Sequence, residues 1–392
     1  MKAIIRAPLL SVSGYGVHSR QIFSYLEKSE LGFKIETQIV NWGNTPWMIN
    51  PDLENGMIGR IMSASPSGKT DVADISFQVQ LPDEWDSNLA RVNVGVSAVV
   101  ETDICNPAWV EACNKMDAVI VPSDHAKKCL ERSGELSVDV HIIPEWFFEE
   151  ILEERNDEFL QTLDIDTKFN FLIISQLTDQ SPDLDRKNLL YTIKWLCEEF
   201  KDDPDVGIIL KTNHGRGTRI DRMLTSNMIR KVTSEVRQGP FPKIHLVHGN
   251  LTPAEISSLY KEDSVKCLVN LTKGEGFGLP ILEAAASNLP VIVTDWSAHT
   301  EFLSIGKFLK VDYDIINVPD QKMDNRIFVP GSKWAMPKEA SFKSRARKFR
   351  KKPEKVQDWA LDLGEKIRSN YSSLSISKQY EKVVRGILER CL

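Results

Sequence analysis

The run Gly274-Glu275-Gly276-Phe277-Gly278-Leu279-Pro280-Ile281-Leu282-Glu283-Ala284-Ala285-Ala286 is the densest grouping of chemically able residues in the sequence. Its three glycines let backbone approach a ligand closely, and the Ala-rich segment behind Pro280 predicts a helix whose free N–H groups favour an anion. Glu275 falls in the loop and Glu283 in the first turns of that helix, so two carboxylates can face one crevice. A plainer reading keeps the glycines as a tight turn and Glu283 as a solvated helix residue. Cations stand nearby in the pattern: Arg186 and Lys187 precede a helix, where the dipole disfavours positive charge, and Lys211 ends an apolar run. Asn250 and Leu251 follow another such run.

Those residues need a scaffold, and the rest of the sequence supplies one. Short β-branched runs at 2–8, 34–40, 73–78, 92–97, 117–121, 138–143, 169–175, 206–211, 243–247, 266–270, 290–294 and 308–311 alternate with helical periods, the pattern of βαβ units and parallel sheets. Twelve strands exceed one sheet. A break is predicted at 144–168, where Pro144 ends a strand and the acidic stretch 149–158 precedes a new start at Phe169. The expected division is 1–165, 166–360 and a helical 361–392, with helices over 338–351, 353–369 and 375–390. The run with Glu275 then opens at the carboxyl end of the second sheet, where open α/β sheets bind ligands. Segment 42–72, rich in Gly, Pro, Ser and Asn, reads as a long loop with at most a short helix.

Composition narrows the function. With 49 Lys+Arg against 55 Asp+Glu the net charge is −6, which supplies no field for coating nucleic acid. Cys105, Cys113, Cys129, Cys197, Cys267 and Cys391 form no C-x-x-C, so reduced thiols in a cytoplasmic protein are expected. The opening stretch is read as too short for a secretory signal, and nothing approaches a bilayer-spanning apolar run. The dense basic run Lys343 to Lys352 is either a solvated helix face or a peripheral contact with anionic lipid at the inner face of a membrane. Asp164-Ile165-Asp166 and Asp312-Tyr313-Asp314 are D-x-D triplets of the kind that chelate a metal beside a nucleotide, but neither sits between strand and helix. His18, His125 and His299 lack ligand spacing, and no metal or cofactor is expected.

From Phe169 to Glu301 the sequence resembles the retaining GT-B glycosyltransferases, family 4 in particular. Glu275 and Glu283 match the E-x7-E motif in the form EGFGLPILEA, and Asn288-Leu289-Pro290-Val291-Ile292-Val293-Thr294-Asp295 followed by Glu301 continues it. The resemblance implies two Rossmann-like α/β domains across a cleft, with the last helix returning to the first. It implies transfer of a hexosyl group from a UDP- or GDP-sugar to a glycan or lipid-linked acceptor, with retention and without metal. In that reading Glu283 binds the ribose and Glu275 the donor sugar. Gly276, Phe277, Gly278 and Leu279 approach the pyrophosphate or sugar, Lys187 and Arg186 the diphosphate, and Asn250 and Leu251 the base; Lys211 stands on the same sheet edge. Gln176 departs from the pattern, occupying the strand end where the resembled proteins carry an arginine.

For the first half the resemblance covers layout and one glycine loop. Ser13-Gly14-Tyr15-Gly16-Val17-His18 is expected between the first strand and a helix from about Ser19, with Gly14 and Gly16 toward the donor phosphates and His18 toward the acceptor. Glu101 and Asp103 are further candidates there, the former to orient an acceptor hydroxyl for catalysis or else as a helix-capping or solvated acid, and the Trp47 indole could stack on a sugar ring. A nucleotide-sugar binder that does not transfer, or a GT-B epimerase, is the rival reading.

Overall fold

The computed structural model describes residues 1–66, 71–213, 217–237 and 239–391. They form two compact units, each an α/β sandwich. Residues 67–70 of the expected loop 42–72 lie outside the described residues.

Unit 1 comprises Met1–Trp146 with Asp324–Val329 and Ser373–Leu392. Its strands are β1 (Lys2–Ala7), β2 (Lys34–Ile39), β3 (Ala73–Val79), β4 (Ala90–Val96), β5 (Ala118–Val121) and β6 (Val140–Ile142), joined by helices α1 (Gly14–Lys28), α2 (Met57–Ser63), α3 (Pro107–Cys113) and α4 (Asp124–Ser133). They pair in parallel in the order β2-β1-β3-β4-β5-β6. Burial is near-continuous along β3, β4 and β5, as in a sheet covered on both faces: β5 is apolar throughout, while β3 and β4 alternate and bury Ser76, Gln78 and Asn93 on hydrogen bonds.

Unit 2 comprises Phe147–Met323 and Pro330–Ser372. It runs α5 (Asp157–Gln161), β7 (Phe169–Ile174), α6 (Leu189–Glu199), β8 (Val206–Thr212), α7 (Arg219–Val236), β9 (Lys243–His248), α8 (Pro253–Tyr260), β10 (Val265–Asn270), α9 (Leu279–Ala286), β11 (Val291–Thr294), α10 (His299–Leu303), β12 (Leu309–Val311), β13 (Tyr313–Asn317), β14 (Lys333–Pro337), α11 (Glu339–Lys351) and α12 (Glu354–Asn370). The parallel order is β12-β11-β10-β7-β8-β9, while β13 and β14 make an antiparallel hairpin. Strand order reverses between β10 and β7, which opens a crevice at their carboxyl ends. One core, with Leu172, Ile209 and Leu268, packs under α8, α9 and α12; the other, with Phe171, Ile208 and Cys267, packs under α6 and α11.

All twelve sheet strands fall where the β-branched runs place them, and the α/β architecture is as expected. The hairpin β13–β14 was not foreseen. The change of unit falls at Trp146, inside the break expected at 144–168, so that 147–165 packs with unit 2 rather than unit 1. The final helix, α13 (Ser373–Cys391), belongs to unit 1. There Tyr380 stacks on Tyr25 with centroids 5.2 Å apart and shares a 3.0 Å hydrogen bond with His18. No helix among the described residues is long and apolar enough to cross a membrane.

Candidate active site

The loop between β7 and α6 is organised around one buried carboxylate. Asp185 Oδ1 accepts from the Thr178 hydroxyl at 2.6 Å and the Thr178 N–H at 3.1 Å, and Oδ2 accepts from the Leu189 N–H at 2.7 Å. It thereby caps α6 from outside the helix, taking over from Asn188, which stands at the cap position in the left-handed region, φ 54°. Both amide atoms of Asn188 are buried without a hydrogen-bond partner, and that strain sits one residue from Lys187. Lys273, wholly buried, fixes the other side of the loop: its ammonium donates to the carbonyls of Asp183 at 2.7 Å and Pro182 at 3.1 Å and lies 4.9 Å from the Trp334 ring centroid. Burial lowers its pKa to about 8.

This frame brings Lys187 to Glu275. The ammonium donates to both carboxylate oxygens, at 2.6 and 2.8 Å. Arg186 donates to the Gly274 carbonyl at 2.7 Å and lies 3.7 Å from Glu275, and the Glu275 N–H is held by Ser297 Oγ at 2.9 Å. Burial opposes the charged form of Glu275, but Lys187 and then Arg186 outweigh it and hold the carboxyl below its usual range.

Three residues on, Gly278 opens α9 with φ 104°, a conformation side chains rarely adopt, and a Cβ there would lie 3.1 Å from His299 Cβ. The glycine is therefore needed both for its backbone and for the close approach. Pro280 occupies the first turn, as expected for a helix start. Glu283 is 8% exposed on this helix and accepts a 2.9 Å hydrogen bond from the Tyr260 hydroxyl. Burial pushes its pKa up to about 8, a rise that the Tyr260 bond only partly offsets. Glu275 and Glu283 thus differ in state at neutral pH: one ionised beside two cations, one largely protonated in an apolar wall. His299 is buried, its Nε2 within 2.7 Å of the Thr294 carbonyl, so it is a satisfied core histidine.

Along the same sheet edge Lys211 is half-buried and makes no ion pair among the described residues; burial lowers its pKa to about 8. Its strand neighbour in register is Ile174, two residues before the exposed Gln176. Asn250 is exposed beyond β9 and hydrogen-bonds Asn213; Leu251 packs partly against the core under α8. Phe277 is buried against Phe302, with centroids 5.4 Å apart, so its contribution to a ligand is through backbone. Sequence reading missed Asp185, Lys273, Tyr260 and Ser297. Lys273 had a signal, a cation between a strand end and the glycine turn; the others lack one.

In unit 1 the expected loop Gly14–His18 is helix. Ser13 caps α1 by accepting from the Gly16 N–H at 3.1 Å, so the helix starts at Gly14, five residues before Ser19. A Cβ on Gly16 would stand 2.0 Å from the Ser11 carbonyl oxygen, so this glycine serves backbone packing; around Gly14 nothing lies within 4 Å. His18, on α1, is buried against Tyr380 of α13, where burial lowers its pKa to about 4, rather than presented to an acceptor. Trp42 stacks on Tyr15 at 4.1 Å, whereas Trp47 is 42% exposed and pairs through backbone with Ser11. Glu101 and Asp103 are half-buried on the loop after β4, two and four residues past Val99, whose φ of 57° is an outlier for a β-branched residue.

Neither D-x-D triplet gathers as a chelate: Asp166 pairs with Lys243 and Asp314 with Lys338. Part of the basic run on α11 is engaged within unit 2, Lys343 with Glu198, Arg347 with Glu199 and Arg350 with Asp203.

No curated protein matches the chain in sequence. Residues 240–317, which span the Glu275–Glu283 loop, match the family described as glycosyl transferases group 1. Similar solved structures include sucrose-phosphate synthase of Thermosynechococcus elongatus, at 12% identity over 100% of both chains with TM-score 0.65. Anabaena HepE in complex with UDP and glucose gives 13% identity over 98% of this chain and 100% of that one, TM-score 0.64. A glycosyltransferase from Rickettsia africae gives 13% over 99% and 98%, TM-score 0.66. Two parallel six-stranded sheets in two units, a last helix packed on the first, and these matches over the whole length identify the fold as GT-B.

Proposed function

We propose that unit 2 binds a nucleoside diphosphate sugar and that the chain transfers its hexosyl group to an acceptor hydroxyl with retention. The observation that carries this is the pair of dissimilar carboxylates on one glycine loop, Glu275 with Lys187 and Glu283 with Tyr260, around the N-terminus of α9. A carboxylate suits paired hydroxyls, whereas the doubly charged leaving group needs donors and cations. Glu283 accepts from the ribose. Lys187 turns from Glu275 to the diphosphate, with Arg186, Lys211 and the α9 N–H groups beside it, and the freed Glu275 accepts from the sugar. These cations take the place of a chelated metal. Catalysis rests on positioning and on stabilising the departing diphosphate, which accepts the acceptor's proton. Trp47, Glu101 and Asp103 in unit 1 orient the acceptor. The match to a structure carrying UDP and glucose makes UDP-hexoses the first donors to try.

The exposed Gln176, an uncharged residue at the strand end, favours a second reading, a binder that does not transfer. Incubation with UDP-, GDP- and ADP-sugars, with and without acceptors and in EDTA, separates them. Nucleotide release is expected and persists in EDTA; binding without release would establish the silent binder, and neither would overturn both.

A further inference from the structure

The outward face of α7 carries a pattern foreign to an otherwise acidic chain. Ile220, Met223 and Leu224 are 66%, 56% and 51% exposed, while the helix is anchored to the core by Ile229, Met228, Val232 and Val236 on its other side. At 3.6 residues per turn, those three apolar side chains share one arc of about 140° with Arg219, Arg230 and Lys231. No acid falls in the arc over these turns, since Asp221 is tied into the capping box with Thr218. Arg219, Arg222, Arg230 and Lys231 are exposed, and none has an ion-pair partner among the described residues. A recess of about 310 Å³ on this face is lined by Arg219, Arg222, Met223, Ser226, Asn227 and Arg230. Large apolar groups and unpaired cations on one solvent face are complementary to a surface that is anionic outside and apolar beneath. The basic run on α11 differs, because among the described residues no large apolar side chain is exposed beside its cations and Lys343, Arg347 and Arg350 already meet Glu198, Glu199 and Asp203.

We propose that α7 is a docking face for an anionic lipid surface, with Ile220, Met223 and Leu224 entering the boundary of the acyl chains and the arginines meeting phosphate headgroups. None of the residues of this face is among those named for the Glu275–Glu283 site, so the proposal does not depend on the function given above. Flotation of the intact chain with vesicles of phosphatidylcholine, plain or containing about 30% phosphatidylglycerol, tests it. The chain floats with the anionic vesicles, stays behind with plain ones, and is released by high salt. Arg219→Ser/Arg230→Ser/Lys231→Ser weakens this binding by about a hundred-fold, as expected for three cations near a charged surface. Met223→Ser/Leu224→Ser weakens it at every salt concentration, and Lys348→Ser/Lys351→Ser on α11 leaves it unchanged. Unaltered melting temperatures show that the variants fold. Absence of flotation, the result expected if an acidic protein is the occupant, would overturn the proposal, as would flotation that survives the α7 variants.

Discussion

Raising the pH should tighten nucleotide binding, and Glu283 sets the amount. In the unliganded site its pKa is about 8 because burial outweighs the hydrogen bond from Tyr260. Two ribose hydroxyls donating to the carboxylate favour the charged form, so binding releases the proton. Affinity therefore rises as pH approaches 8 and falls above it, where Lys211, whose own pKa is about 8, loses the charge it brings to the diphosphate. Between about pH 6.5 and pH 7.5 the gain is roughly six-fold if both groups are ionised in the complex, and most of one proton leaves per nucleotide at pH 7. Calorimetry of UDP or GDP in buffers of different ionisation enthalpy reads both quantities. Glu283→Gln should bind more weakly, with a profile that is flat below about pH 7 and falls above it. The stability sign runs the other way. A folded pKa raised above the unfolded one gives stability that is complete below the unfolded value and lost as pH rises through about 8. The Gln variant should consequently gain on wild type between about pH 5 and pH 9, by a few kcal/mol at most. A pH-independent wild-type affinity without proton release would refute the assignment.

Lys187→Met leaves the buried Glu275 with Arg186 as its nearest remaining cation and should cost about 3 kcal/mol in denaturant unfolding; Glu275→Gln added to it should recover a coupling of about 1 to 3 kcal/mol, and strict additivity would show the pair is not energetic. Gly16→Ala should destabilise unit 1 by about 1 to 3 kcal/mol through its clash with Ser11, whereas Gly14→Ala should melt as wild type; equal melting of the two would contradict the packing role. Trp47→Ala should depress transfer to acceptor while sparing slow donor hydrolysis by water, and equal losses in both would assign the indole to stability instead.

What the sequence disclosed follows from where the physical signal is local. The central strands β5, β7, β8, β10 and β11 are buried along most of their length, so each is a near-continuous apolar run. The hairpin β13–β14 escaped because Tyr313–Asn317 is outward-facing and mostly exposed, so its sequence lacks an apolar run. The stretch from Gly14 to Gly16 imitates a loop, since glycine is a poor helix former; the structure shows that Gly16 is demanded by the Ser11 carbonyl across the turn. Glu275 and Glu283 were legible because one glycine turn and one helix start carry both. Tyr260 and Asp185 were not, because each acts on a residue of the site from another element, and no spacing announces a phenol that meets a carboxylate 23 positions later. The sequence likewise cannot tell that Lys343, Arg347 and Arg350 of α11 pair with Glu198, Glu199 and Asp203, well over a hundred residues away in the chain.

Nucleotide release from UDP- and GDP-sugars by the intact chain, wild type beside Glu275→Gln, bears most directly on the central claim. The variant should bind free nucleotide at least as tightly as wild type, because Glu275 accepts from the sugar and its loss releases Lys187 for the diphosphate, while release slows by about 100- to 1000-fold. A wild-type chain that neither binds nor cleaves any nucleotide sugar, or a variant that loses nucleotide affinity in step with its rate, would contradict the account.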